Sequence, residues 1–173
     1  MALYPFTLPY PIPSIPPPTS IHNKLTPPGM TWVPSPPPPT TYFPALNETL
    51  ALGANFWNAG ELYGTPDYNS LHLLHAYFST YPEKAAQVVL SVKGGLVPGT
   101  LRPDGSEENI RRSVDECLRV LGGTKKIDLF QCARQDRGTS VEQTVGVLKA
   151  LVEEGKIGGI GLSEVDAETV RRA

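Results

Sequence analysis

The sequence predicts an α/β fold of parallel strand–helix units, and three observations carry that prediction. Short apolar runs of strand length alternate with longer stretches whose apolar residues recur at helical spacing. Several of the longer stretches open on a capping residue and close on glycine, as Ser106 and Gly122 do. The connections are short, which in an alternating order means adjacent parallel units with helices covering the sheet.

The chain begins differently. Fifteen of its 19 prolines fall in residues 1–45, where Lys24 is the only formally charged side chain. Proline removes a backbone donor and fixes φ, so this stretch is expected to form neither helix nor interior strand. Residues 1–28 read as a proline-rich arm, disordered or extended like polyproline II. Pro13–Pro16 and Pro36–Pro39 have the PxxP spacing that SH3-type grooves accept, but no basic residue adjoins either. A passive arm is the expected reading, and an interaction protein acting through the arm is the rival one.

From residue 43 the pattern changes. Phe43, Leu46 and Leu50 recur at helical spacing, with Gly53 placed to end that helix. Ala54–Trp57 reads as a short buried strand. Leu71, Leu74, Phe78 and Tyr81 form a second amphipathic stripe. Gln87–Val92 contains Val88-Val89-Leu90, an apolar run suited to a strand covered on both faces. Ser106 is placed to cap a helix carrying Ile110, Val114, Cys117, Leu118 and Leu121, which Gly122 stops. Ile127–Phe130 is the next strand. Ser140 and Gln143 make a capping box ahead of Val141, Val145, Leu148, Leu151 and Val152, with Gly155 at the end. Ile157–Leu162 is a further strand, and Asp166 caps a last helix. The expected inventory is four strands and four or five helices.

Composition narrows the function classes. The 173 residues carry a formal net charge of -2, and the pI is near 5.9. That balance argues against a nucleic-acid partner, because phosphate affinity needs surplus Lys and Arg. No run approaches the roughly 20 apolar residues of a membrane helix, so no membrane partner is expected. Two cysteines cannot build a disulfide framework, and the opening MALYPFTLPYPIP lacks the basic region of a secretory signal. A cytoplasmic protein is the expectation.

In parallel α/β folds, ligands bind outside the carboxyl ends of the strands. Asn58, Glu61 and Tyr63 follow the first strand, Lys93 the second, Cys132, Ala133 and Arg134 the third, and Ser163 and Glu164 the fourth. A lysine in this position is also an ordinary solvent-reaching cap, so spacing alone leaves both readings open. Chemistry gives Tyr63 and Lys93 a joint use. A phenol has a reference pKa of about 10, and a nearby ammonium favours the phenolate, making the phenol a better proton donor near neutrality. Such a couple suits hydride transfer from a nicotinamide to a carbonyl.

At these residues a resemblance emerges. Gly53-Ala-Asn-Phe-Trp-Asn-Ala-Gly-Glu-Leu-Tyr63-Gly64 resembles the aldo-keto reductase signature GxxxxDTAxxYG. Val92-Lys93, Asp128-Leu-Phe-Gln131 and Gly155-Lys-Ile-Gly-Gly-Ile-Gly-Leu-Ser163 match that family's next three barrel strands in order. FWNAGELYGTPDYNSLHLL and the CAR after DLFQ are most similar to the fungal pyridoxal reductase branch. Gly29-Met-Thr-Trp32 resembles the segment after the first strand, which lies near the nicotinamide. The resemblance covers residues 29–173.

It implies a partial (β/α)8 TIM-type barrel, about strands 2 to 5 with their helices. It further implies NADPH as cofactor and an aldehyde or ketone such as pyridoxal as substrate. By carry-over, Tyr63 is the general acid, Lys93 its partner, and Asn58 stands at the position of the tetrad's Asp. Ser163, Met30 and Trp32 would approach the cofactor, and Ala133 and Arg134 the substrate pocket. Two departures follow. Asn58 can accept from Lys93 but cannot neutralise it, which leaves the ammonium's pull on the phenol unopposed. Ala133, at the His position, cannot orient a carbonyl, and loss of such a hydrogen bond costs on the order of 10²–10³ in rate. Glu164 stands where the family usually has Asn.

An eight-stranded barrel needs roughly 250 residues. The matched region is therefore expected to lack strands six to eight, as a truncated paralogue or incomplete gene product would. A half-sheet with two open edges and a broad apolar face is expected to be marginally stable, to associate with another copy, or to form no stable fold. A non-catalytic remnant is the alternative function.

The remaining signals are weaker. Gly94-Gly95 and Gly158-Gly159-Ile-Gly161 are expected to allow close helix–strand packing rather than to hold phosphate. His22, His72 and His75 do not make a metal cluster. Cys117 falls on a helix's apolar stripe. Cys132, near the inferred pocket, is a candidate reactive thiol. Arg134 is expected either to meet an anionic ligand or to pair with Asp136.

Overall fold

The computed structural model describes the backbone of Asn23–Lys24 and residues 37–173. Met30, Trp32, His22, the Pro13–Pro16 motif and Pro36 lie outside the described residues.

The elements in chain order are β1 (Asn23–Lys24), a 3-10 turn (Pro39–Tyr42), α1 (Phe43–Ala51), β2 (Phe56–Gly60), β3 (Gly64–Thr65) and β4 (Tyr68–Asn69). There follow α2 (Ser70–Thr80), a second 3-10 turn (Pro82–Gln87), β5 (Val89–Gly94) and α3 (Glu107–Leu121). β6 (Leu129–Cys132), α4 (Val141–Glu153), β7 (Ile160–Leu162) and α5 (Ala167–Arg172) complete it. Five strands form a sheet in the order β1-β2-β5-β6-β7, with every pairing parallel. β3 and β4 form a separate antiparallel hairpin. This is the expected partial barrel, with successive strands adjacent and helices between them.

Strand alternation sorts the sheet into two faces. Trp57, Ala59, Leu90, Val92 and Phe130 are fully buried. They join Leu71, Leu74 and Phe78 of α2, Ile110, Val114, Cys117 and Leu121 of α3, and Leu148 and Leu151 of α4 in one core. Trp57 stacks on Phe78 with centroids 6.0 Å apart and donates its indole N–H to the Ala54 carbonyl at 2.8 Å. The opposite face carries Asn58 beside Ser91, and Gly60 beside Lys93 beside Gln131. The apolar face therefore fixes the strands, and the polar face is left for chemistry.

The capping expectations hold. Ser106, Ser140 and Asp166 each accept a backbone N–H of the first turn. Gly122 ends α3 in the left-handed conformation, at φ 56°. Other expectations are corrected. The 3-10 turn and the start of α1 lie inside the proline-rich stretch, because Pro39 and Pro44 occupy first-turn positions, where the missing N–H has no helical partner anyway. The described main sheet has five strands, not four: β1 adds to its edge, and the β3–β4 hairpin was unexpected. The strand expected over Ala54–Trp57 runs over Phe56–Gly60, and Gln87 ends a 3-10 turn instead of opening β5.

Gly94 does allow close helix–strand packing, since a Cβ there would strike Ser113 Oγ of α3 and approach Phe130. Gly158 and Gly161 serve a different purpose. Their absent side chains make room for the neighbouring strand segment, at the Asp128 backbone and the Gln131 side chain respectively. Among the described residues no helix is long and apolar enough to cross a membrane.

Candidate active site

Tyr63 and Lys93 meet at Gly60. Gly60 and Lys93 are register partners of β2 and β5. A Cβ built on Gly60 would lie 3.3 Å from Lys93 Cβ and 3.4 Å from Cδ2 of the Tyr63 ring. One edge of the phenol ring and the Cβ of the lysine therefore both lie close to Gly60, at the carboxyl ends of adjacent strands. Both residues are half-buried.

The loop that presents Tyr63 is tightly tied. Tyr63 N–H donates to the Gly60 carbonyl at 3.2 Å, and the Tyr63 carbonyl accepts from Ser70 N–H at 2.9 Å. Ser70 Oγ, fully buried, accepts from Gly60 N–H at 3.0 Å and donates to the Gly60 carbonyl at 3.1 Å. Glu61 N–H reaches across to the Lys93 carbonyl at 3.1 Å. Asn69, which caps α2 in a reciprocal box with His72, also donates to the Glu61 carbonyl at 3.3 Å.

Asn58 lies one pleat deeper on the same face, in register with Ser91. Its Oδ1 is buried and has no hydrogen-bond partner among the described residues. An unpaired buried acceptor is costly, so this oxygen offers a place for a donor beside Lys93. Gln131 donates to Ser91 Oγ on that face. Ser163 follows Gly161 by two residues, and Gly161 is the register partner of Gln131. Ser163, also half-buried, directly follows the last residue of β7.

The family described as "Aldo/keto reductase family" matches residues 29–173. The chain belongs to the aldo-keto reductase family. It is 47% identical over 146 residues to "Probable pyridoxal reductase 2" of Schizosaccharomyces pombe, covering 84% of this chain and 44% of that protein. An uncharacterized oxidoreductase of the same yeast is 40% identical, with the same coverages. Among solved structures, a glycerol dehydrogenase of Gluconobacter oxydans superposes with a TM-score of 0.66 at 23% identity, covering 79% of this chain and 42% of that one. That likeness shows the barrel fold. The chain spans less than half the length of the relatives it matches.

Within this aldo-keto reductase sheet the other sequence-selected residues separate. Ala133 is buried at the end of β6, its N–H bonded to the Gly94 carbonyl at 2.8 Å. Its methyl group offers a carbonyl substrate no donor. Arg134 does not pair with Asp136. Its Nε donates to Glu164 Oε2 at 3.1 Å, and the two side chains are 48% and 63% exposed. Asp136 instead accepts from Gly105 N–H, Gly138 N–H and Thr139 Oγ1, and those bonds hold its carboxyl below the usual range. Glu164 adopts φ 56°, the described residues' one left-handed backbone outside glycine. Asn tolerates that region better than Glu.

Cys132 is corrected as a reactive thiol. Its register partners are Gly94 and Leu162, which puts its side chain on the Phe130 face, against the helices and away from Lys93. Burial pushes its pKa up to about 12. Cys117 is fully buried in the core as expected, and burial raises its thiol well above the ordinary value. His72 belongs to the α2 cap, and His75 bonds the Leu121 carbonyl at 3.1 Å. No metal-binding cluster is present among the described residues.

Two features escaped the sequence reading. Ser91 and Gln131 form a polar pair in the row of Asn58 and Lys93, which strand parity alone would have indicated. Glu61, noted only as a neighbour of Tyr63, is bonded to α3 across more than 50 residues of chain, and no local signal reveals that.

Proposed function

We propose that the chain supplies the acid-catalytic strands of an NADPH-dependent reductase of aldehydes, with pyridoxal as representative substrate. The observation that carries this reading is the convergence of the Tyr63 ring and the Lys93 side chain on Gly60. Tyr63 would donate the proton to the carbonyl oxygen, and Lys93 would stabilise the phenolate that remains. Asn58, whose buried Oδ1 has no partner among the described residues, would accept from the Lys93 ammonium. Ser163 would hold the nicotinamide carboxamide at the end of β7, alongside Met30 and Trp32 by resemblance. Bound NADPH would supply the hydride. Ala133 and Arg134 would border the substrate. The pyridoxal assignment rests on the name of the Schizosaccharomyces pombe relative. The proposal includes one domain over residues 29–173 and a proline-rich arm over 1–28, of which Asn23–Lys24 adds an edge strand to the domain's sheet. It includes a cytoplasmic location, which suits two free buried cysteines, and self-association through the edges of the sheet.

The test is NADPH oxidation by the full chain in the presence of pyridoxal. Turnover is expected, and Tyr63→Phe is expected to lower kcat by about 10²–10⁴-fold. Turnover that survives this substitution removes the phenol from the mechanism. A second reading, a non-catalytic member, is favoured by Ala133. It predicts no change in NADPH fluorescence at millimolar cofactor.

A further inference from the structure

Glu61 stands two residues before Tyr63 and has no place in the acid couple, yet its carboxylate is held on several sides. Its side chain is 15% exposed. Oε1 accepts from Ser113 Oγ at 2.8 Å and from Arg112 Nη2 at 3.5 Å. Ser113 Oγ in turn accepts from Gly95 N–H at 2.9 Å, so its single proton is committed to Glu61. Donation therefore runs one way, from Gly95 to Ser113 to Glu61. Gly95 lies two residues after Lys93.

Arg112 extends the connection. The same Nη2 donates to the Leu96 carbonyl at 2.9 Å, and Nε donates to Asn109 Oδ1 at 3.0 Å. On the backbone, Glu61 N–H is bonded to the Lys93 carbonyl at 3.1 Å. Glu61 thus joins the segment that carries the phenol to the segment that carries the ammonium by its backbone, and its carboxylate ties both to helix α3 through Ser113 and Arg112. A surface ion pair would join only two side chains. Here, removing the carboxylate strands the Ser113 hydroxyl proton and leaves Arg112 without its counter-charge.

We infer that Glu61 is a positioning residue, which keeps Tyr63 and Lys93 in mutual register through Ser113 and Gly95. The role rests on the acid-couple reading above. A misplacement of about 1 Å between reacting groups can cost on the order of 10² in rate, so loss of the tether is expected in kcat, with KM little changed.

The test uses the full chain and the variants Glu61→Ala, Glu61→Gln and Ser113→Ala. Amide hydrogen exchange reads the tether without any turnover. Glu61→Ala is expected to speed exchange at Gly95, Tyr63 and Ser70 together by about 10-fold, whereas Glu61→Gln, which keeps Oε1 as acceptor, preserves protection. Ser113→Ala is expected to loosen Tyr63 and Ser70, which Ser113 does not touch. That variant carries the test if Glu61→Ala fails to fold. In turnover, Glu61→Ala is expected to lose about 10²-fold in kcat, and Glu61→Gln to recover most of it. No wild-type turnover would refute the acid couple, and exchange would then decide the tether alone. Faster exchange confined to α3, or wild-type kcat in Glu61→Ala, overturns the inference.

Discussion

The carboxyl ends of β2 and β5 are restrained differently from those of β6 and β7. At the first pair, Gly60, Glu61, Tyr63 and Ser70 are tied by buried backbone and hydroxyl bonds, and Glu61 binds the whole to α3. At the second pair, Arg134 and Glu164 meet in an exposed ion pair, with Glu164 in a left-handed backbone. Buried hydrogen bonds lose far more than exposed ones when a partner is removed, because no water replaces it. The end that carries Tyr63 and Lys93 is thus held by many mutually dependent contacts. The end assigned to the nicotinamide can be altered locally without disturbing the sheet.

Substitutions can break that contrast. The largest effect is expected at Gly94, where β5 meets α3 and a Cβ would strike Ser113 Oγ and the Phe130 ring. Gly94→Ala should cost about 1–3 kcal/mol in urea unfolding. An unchanged midpoint would show that the close approach is not restrictive.

A second effect concerns β6. The Cys132 thiol is raised from 9.0 to about 12 by burial. The native state therefore holds this proton more tightly than the unfolded chain does. Its contribution to stability is complete below pH 9.0 and is lost as pH rises toward about 12. Cys132→Ser should flatten that alkaline decline, and the native thiol should resist alkylating reagents at pH 7. Fast alkylation of the folded protein would contradict the burial.

The smallest effect belongs to the exposed pair. Arg134→Ala should change stability by no more than about 1 kcal/mol. Glu164→Asn should be near neutral, since relief of the left-handed strain offsets the lost pair. A large loss in either variant would mean that this end is as tightly held as the other.

What the sequence made legible was local or periodic. The caps at Ser106, Ser140 and Asp166 and the stop at Gly122 follow from residue type within one turn. Placing Tyr63 and Lys93 at strand ends followed from counting apolar runs. The Asn69–His72 box escaped because His is an unusual third-position partner. The β3–β4 hairpin escaped because two-residue strands carry no periodicity. Glu61–Ser113 and Arg134–Glu164 depend on register between distant segments, which spacing along the chain does not encode. Cys132 was misplaced by treating every residue after a strand as facing the pocket. Parity with Phe130 assigns it to the helices.

The convergence at Gly60 can be observed directly by NMR on the wild-type chain labelled at glycine, tyrosine and lysine. Cross-relaxation is predicted from the Gly60 α-hydrogens to both the Tyr63 ring δ-hydrogens and the Lys93 β-hydrogens. If Gly60 shows neither contact in the folded protein, the phenol and the ammonium do not share a site, and the catalytic account is wrong.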